Sequence, residues 1–311
     1  MAGTAASGRA GWLRALALMI ATWVLSMVNP GVLIAIPFGL LVLFMPERRM
    51  AAVVLAAAAA VLAVVGDRAS GLWYVERGWA FLVGGAFLAL SLRWPNQRFF
   101  PRGLGAVFGA FLGTGLLFQV RPGDWAVVDW AVRTRIETTL SWVLESIRAS
   151  YGPEAVSAGL ESRMLEFVAF QGVIFPALLG LASLSALGLS WWLYHEVSRR
   201  PAEAVGPIRE FRFNDQLVWV FVLGLTAVLA SSGFLDRVGI NAVVFMGALY
   251  ALRGAAVLLF LKGGLSFLGG LFVFLGFLLM APYMIVGAAF VGLGDTWFDI
   301  RARRASTRPG A

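Results

Sequence analysis

Cysteine is absent, and histidine and lysine occur once each, at His195 and Lys262. The first absence excludes disulfides, thiolate metal sites and cysteine nucleophiles. A single histidine excludes any multi-histidine metal centre. Charge is scarce as well. Only 14% of the residues are charged and 60% are hydrophobic, whereas soluble domains carry about 25% charge. A water-soluble chain of 311 residues buries only part of its apolar surface, so a mean hydropathy of +0.82 makes lipid the solvent for most of it. Apolar runs recur along the whole length, which predicts a polytopic protein rather than a soluble domain on one anchor.

The net charge of +8 does not indicate nucleic acid. Its arginines fall in short clusters between apolar runs, as in cytoplasmic loops, and no basic stripe alternates with aromatics. The first apolar run follows Arg9 and Arg14 and resembles a signal peptide. A second run follows almost at once without a clear small-residue cleavage site, so the expectation is an uncleaved first helix.

The spans are expected at about 13–28, 30–45, 51–66, 78–92, 103–120, 167–194, 216–230, 240–261 and 265–293. Pro46 to Arg49 form a polar turn, and Asp67, Arg68, Glu76 and Arg77 are assigned to a short outer loop. The segment 121–166 is the one long polar stretch. From Trp130 onward it has helical periodicity, with Ile136, Leu140, Val143, Leu144, Ile147 and Tyr151 on one face and an Arg133–Glu137 pair opposite. It reads either as an amphipathic hairpin on the outer surface or as a lid over a cavity. Asn29-Pro30 breaks the first apolar run, Tyr151-Gly152-Pro153 ends the polar helix, and Lys262-Gly263-Gly264 breaks the chain before the last span. Pro176 and Pro282 mark expected breaks in the sixth and last spans.

Basic clusters at 46–50, 93–102 and 196–215, the last with Arg199, Arg200, Arg209 and Arg212, place those loops and the N-terminus in the cytoplasm. Nine crossings would strand the tail of Arg301, Arg303, Arg304 and Arg308 outside. An even number satisfies the rule, either because 265–293 is a hairpin broken at Pro282 or because one early span does not cross. The expectation is thus an all-α transmembrane bundle of eight to ten helices with both termini cytoplasmic. Its parts are 1–120, the extracytoplasmic insertion 121–166, 167–294 and a basic tail 295–311.

Gly103-Leu104-Gly105 with Gly109 and Gly113 lacks the Lys-Ser/Thr of a P-loop and the spacing of a dinucleotide fingerprint. Gly105, Gly109 and Gly113 instead form a small-residue stripe that suits close helix packing. Paired carboxylates are missing from the apolar runs, and a serine nucleophile has no base beyond His195. No enzyme, metal or cofactor is expected. His195 suits either a proton relay or an interfacial aromatic belt with Trp191, Trp192 and Tyr194. Asp295, Asp299, Trp297 and Phe298 read as an interfacial anchor.

Arg253 carries the most information. It sits inside "VVFMGALYALRGAAVLLFL", where a mid-membrane charge costs roughly 2.5–3.5 kcal/mol and must face the protein interior or a wet cavity. It is either an anion-binding or coupling residue, or a structural ion pair or snorkelling side chain. Glu166, Gln171 and Gln119 are its expected partners, with Tyr250 one turn away.

The string "LGDTWFDIRAR" at 293–303, preceded by Leu249-Tyr250 and Gly254, resembles the YybS-like family of bacterial polytopic membrane proteins, a domain-of-unknown-function family. That family is distantly similar to the S components of energy-coupling-factor transporters. The resemblance implies a bacterial cytoplasmic-membrane protein that captures a small-molecule solute near Arg253. It also implies an ATPase with a coupling subunit as partner, docked at the small pair Ala17-x-x-x-Ala21. The chain has more helices than the six of an S component, and the 121–166 insertion besides. The alternative is a non-transporting membrane scaffold or regulatory subunit, with lipid and another membrane protein as partners.

Overall fold

The computed structural model describes residues 2–46, 48–66, 72–198, 205–263 and 267–306. Glu47, Asp67, Arg68, Arg199, Arg200, Gly264 and Arg308, which entered the loop and tail assignments, lie outside them. The described residues form eleven α-helices and no strand, as expected for the fold class. Five stretches are long and apolar enough to cross a membrane: Leu72–Arg93, Phe99–Val120, Gly159–Val197, Phe234–Lys262 and Leu275–Phe298. Four shorter apolar helices accompany them. The chain divides into two compact units, Met1–Val205 and Gly206–Ala311. Of the expected boundaries, 166 falls inside a helix of the first unit and 294 inside a helix of the second.

The first unit holds α1 (Ala2–Leu25), α2 (Pro30–Phe44), α3 (Arg49–Val64), α4 (Leu72–Arg93), α5 (Phe99–Val120), α6 (Pro122–Tyr151) and α7 (Ala158–Val197). Asn29-Pro30 starts α2: the Asn29 side chain accepts from the Gly31 N–H at 2.9 Å, and Pro30 takes the first turn, where its missing N–H costs nothing. Gly152, at φ +91°, ends α6, and Ser157 caps α7. α7 is 40 residues long, about 60 Å at 1.5 Å per residue. It packs against α1, α2, α4, α5 and α6 and runs as one helix through Pro176. Its buried hydroxyls join neighbouring helices, as polar groups do in membranes. Ser183 accepts from Trp79 Nε1 at 2.9 Å, Ser190 donates to the Ile34 carbonyl at 3.0 Å, and Tyr194 donates to the Met45 carbonyl at 2.6 Å.

Glu76 and Arg77, expected in a loop, are buried in the second turn of α4. The reason is unsatisfied backbone at neighbouring helix ends. Arg77 donates to the carbonyls of Ala63, Val65 and Trp73 at 2.5, 2.7 and 3.0 Å, covering the end of α3. Glu76 accepts from the Asn29 N–H at 3.2 Å and from Arg135 of α6. That pair fastens the amphipathic helix, whose Val132 and Leu144 are buried. Tyr151 is exposed, although it shares their periodicity. Arg133 pairs with Asp129 at 3.3 Å, one turn before it, rather than with Glu137.

The second unit holds α8 (Val218–Ala230), α9 (Phe234–Lys262), α10 (Phe267–Phe298) and α11 (Ile300–Ser306). Gly233, at φ +70°, turns α8 into α9. α8 runs antiparallel to the first half of α9, where a Cβ on Gly239 would stand 2.7 Å from the Gly224 carbonyl oxygen. α10 bends at Met280 (φ −137°, ψ 31°), two residues before Pro282, because proline removes an i−4 hydrogen bond and its ring crowds the preceding turn. Beyond the bend α10 runs antiparallel to the second half of α9. A Cβ on Gly254 would overlap the Ala288 carbonyl, and one on Gly292 would overlap the Tyr250 carbonyl. The two backbones touch there.

Candidate functional site: a buried ion network on α9

Arg253 is the twentieth of the 29 residues of α9. Because α8 covers the half before it and α10 the half after it, the start of α8 and the end of α10 meet at this residue. Each end brings a carboxylate. Asn214 caps the turn Asp215–Leu217, accepting from the Gln216 N–H at 3.0 Å, which sets Asp215 at the entry to α8. Asp295 lies in the last turn of α10. Asp299, at φ +42°, then breaks the helix, in the left-handed region that Asp tolerates better than most residues. α11 starts at the next residue and brings Arg301 to Asp295.

The Arg253 guanidinium donates from Nε to Asp295 Oδ2 at 3.0 Å and from Nη1 to Asp215 Oδ1 at 2.5 Å. Arg301 donates from Nη2 to the same Asp295 oxygen at 2.9 Å and from Nη1 to the Phe211 carbonyl at 3.0 Å. Further out, Arg212 pairs with Asp299 at 3.0 Å. The side chains of Arg253 and Asp295 are both 0% exposed, whereas that of Asp215 is 47% exposed. The Arg253 guanidinium lies over the Phe213 ring, 5.4 Å from its centre, and Phe213 in turn packs edge-on against Tyr250. The Tyr250 hydroxyl is turned toward Thr296 and forms no close hydrogen bond. In this cluster Arg253 Nη2, Arg301 Nε and Asp295 Oδ1 are also buried with no hydrogen-bond partner among the described residues.

Asp215 and Asp295 thus take the place expected for Glu166, Gln171 and Gln119. Glu166 and Gln119 are exposed and Gln171 half-buried, all in the first unit. Asp215 stands 38 residues and Asp295 42 residues from Arg253, and the fold, not the sequence spacing, joins them. The interfacial-anchor reading of 295–299 is corrected in part: Trp297 and Phe298 are exposed, but Asp295 is fully buried because Arg253 and Arg301 neutralise it.

Of the glycine stripe, Gly105 and Gly113 lie beside α4: a Cβ on Gly105 would stand 3.3 Å from Leu90 and one on Gly113 3.8 Å from Leu82, whereas one on Gly109 would meet nothing within 4 Å. The buried residues of α5 include Gly103, Ala106, Val107 and Ala110, and the backbone-to-backbone approaches are at Gly224–Gly239 and Gly254–Gly292. On α1, Ala17 is exposed and Ala21 half-buried, with Ala15 and Thr22 buried instead. His195 is buried against the Trp191 ring at 4.4 Å. A cavity of about 260 Å³ in the first unit is lined by Val42, Pro46, Arg48, Tyr194 and Ser198 among others, and includes none of the expected solute-binding residues.

The profile of a family described as "Predicted membrane protein (DUF2232)" matches residues 13–296. The chain belongs to the DUF2232 family. No curated protein and no solved structure matches it. This DUF2232 protein is an integral membrane protein with several apolar helices. The matched span takes in Asp215, Arg253 and Asp295 and ends before Asp299 and Arg301. Among the described residues of the DUF2232 chain no group of His, Asp and Glu could hold a metal ion. What the site holds is two guanidinium groups and two carboxylates, with two buried N–H donors and one buried carboxylate oxygen left without a hydrogen-bond partner.

Proposed function

We propose that this protein is a non-enzymatic component of a transport system in the bacterial cytoplasmic membrane. It captures a small solute beside Arg253 and takes energy from a separate ATPase through a coupling subunit. The observation that carries the reading is the buried Arg253–Asp295–Arg301 cluster with its unspent donors, Arg253 Nη2 and Arg301 Nε. Buried ion pairs are often no more stabilising than apolar side chains of the same size. Ionisable groups inside membrane segments are costly and mark solute pathways. Helix ends that meet inside a membrane domain are a recurring setting for transporter sites. The likeness to YybS-like proteins and S components supports the same reading. So does Ala17-x-x-x-Ala21, whose exposed Ala17 leaves this face of α1 open to a partner helix. The arginine clusters fit cytoplasmic N- and C-termini.

The second reading is a scaffold or regulatory subunit. Its favouring observation is that Asp215 and Asp295 already balance the charge of Arg253. The test is mass spectrometry of the protein purified gently from its own host in nanodiscs. A stoichiometric metabolite, or an ATPase with a coupling subunit, upholds the transport reading. A single unrelated membrane partner with no small molecule upholds the scaffold.

A further inference from the structure

We infer that Asp215 is a displaceable stand-in for the solute, and that the solute is a small carboxylate. This rests on the solute-binding reading above. The two acidic partners of Arg253 differ in kind. Asp295 is fully buried and shared by two guanidinium groups through a single oxygen, so it belongs to the fixed part of the site. Asp215 is half exposed, reaches Arg253 from the turn that opens α8, and makes one short bond to Nη1. The next nitrogen of the same fork, Nη2, is buried without an acceptor. A guanidinium presents two parallel N–H groups to a carboxylate, and Asp215 engages only one of them.

The charges point the same way. Without Asp215, the buried set of Arg253, Arg301 and Asp295 carries one net positive charge, and Arg301 Nε is a further unused donor. One external monoanion restores neutrality. A carboxylate that bonds both Nη1 and Nη2 of Arg253 gains the bond that Asp215 leaves unmade. Phe213 and Tyr250 give its carbon skeleton an apolar, aromatic neighbour. In exchange the Asp215 side chain swings to water, where Arg212, whose Nη2 lies 4.0 Å from it, remains at hand. Charge is balanced before and after the exchange, so neither state leaves a buried charge uncompensated.

The test uses the full chain in lipid nanodiscs and measures calorimetric binding of acetate, succinate and benzoate, with acetamide as the uncharged control. At least one carboxylate is expected to saturate the wild type, and acetamide to do nothing. Asp215→Asn and Asp215→Ala should each tighten that carboxylate by about tenfold or more, because the competing closed state is removed. Arg253→Lys, which keeps the charge and loses the fork, should weaken it by a similar factor. Wild-type binding that depends on Arg253 but is unchanged in both Asp215 variants overturns the exchange and leaves the solute site standing. Binding of acetamide as tight as acetate overturns the assignment of the solute class. No binding by the wild type or by either Asp215 variant overturns the stand-in, and a simultaneous absence of any copurified solute overturns the solute site with it.

Discussion

Gly254→Ala tests whether the ion network depends on backbone contact between α9 and α10. The new methyl carbon would overlap the Ala288 carbonyl oxygen and stand 2.7 Å from its carbonyl carbon and 2.9 Å from Gly292 N. Backbone atoms cannot swing aside as a side chain does. To bring the carbonyl carbon alone to an ordinary 3.4 Å, the helices must part by about 0.7 Å. The same retreat stretches the 3.0 Å bond between Arg253 Nε and Asp295 to about 3.7 Å, which is no longer a hydrogen bond. Overpacking costs about 1–3 kcal/mol by itself, and loosening the buried pair adds to it. At about 2–4 °C per kcal/mol, the melting temperature should fall by at least about 4 °C. The assay is thermal unfolding of the purified protein in nanodiscs. Gly247→Ala on the same helix is the control: nothing lies within 4 Å of its Cβ, and alanine is the better helix former by up to about 1 kcal/mol. A Gly254→Ala protein that melts with the wild type, or a Gly247→Ala protein that falls as far, refutes the reasoning.

Asp295→Asn should destabilise by about 3–5 kcal/mol, because it leaves two buried guanidinium groups with half their compensation. Asp299→Asn, which touches only the exposed pair with Arg212, should change stability by less than about 1 kcal/mol; parallel denaturation curves compare the two. Gly109→Ala should leave the melting temperature unchanged or slightly raised, since its Cβ points into open space. Arg135→Ala should speed amide exchange across α6 while α7 stays protected, because Arg135 is the ionic fastening of that helix to Glu76.

The helices were legible because apolar runs and their punctuation are local. Asn29-Pro30, Gly152 and Gly263 each end or begin an element where the sequence indicates it. Arg253 was legible as well, since a lone charge in an apolar run must find something. Its partners were not, because Asp215 reads as loop and Asp295 as a surface anchor until the fold brings them together. The closest helix approaches were hidden for a related reason. Gly105, Gly109 and Gly113 form the more regular pattern, and two of them do lie beside side chains of α4, but a stripe does not show where backbone meets backbone. Gly254 and Gly292 lie 38 residues apart and show no stripe between them. Glu76 and Arg77 were misassigned because charge usually indicates loop, while here it serves the bare ends of α2 and α3.

The order in which the chain is made has a consequence for the ion network. Arg253 leaves the ribosome 42 residues before Asp295, which at about 5–20 residues per second is a delay of roughly 2–8 s. During that interval α9 carries an arginine whose buried partner has yet to be synthesised, and lateral release of α9 alone into lipid is disfavoured by roughly 2.5–3.5 kcal/mol. The insertion machinery should therefore retain α8 and α9 until α10 arrives and release the three as a group. A chain truncated before Asp295 should stay crosslinkable to the translocon, while one that includes it should escape.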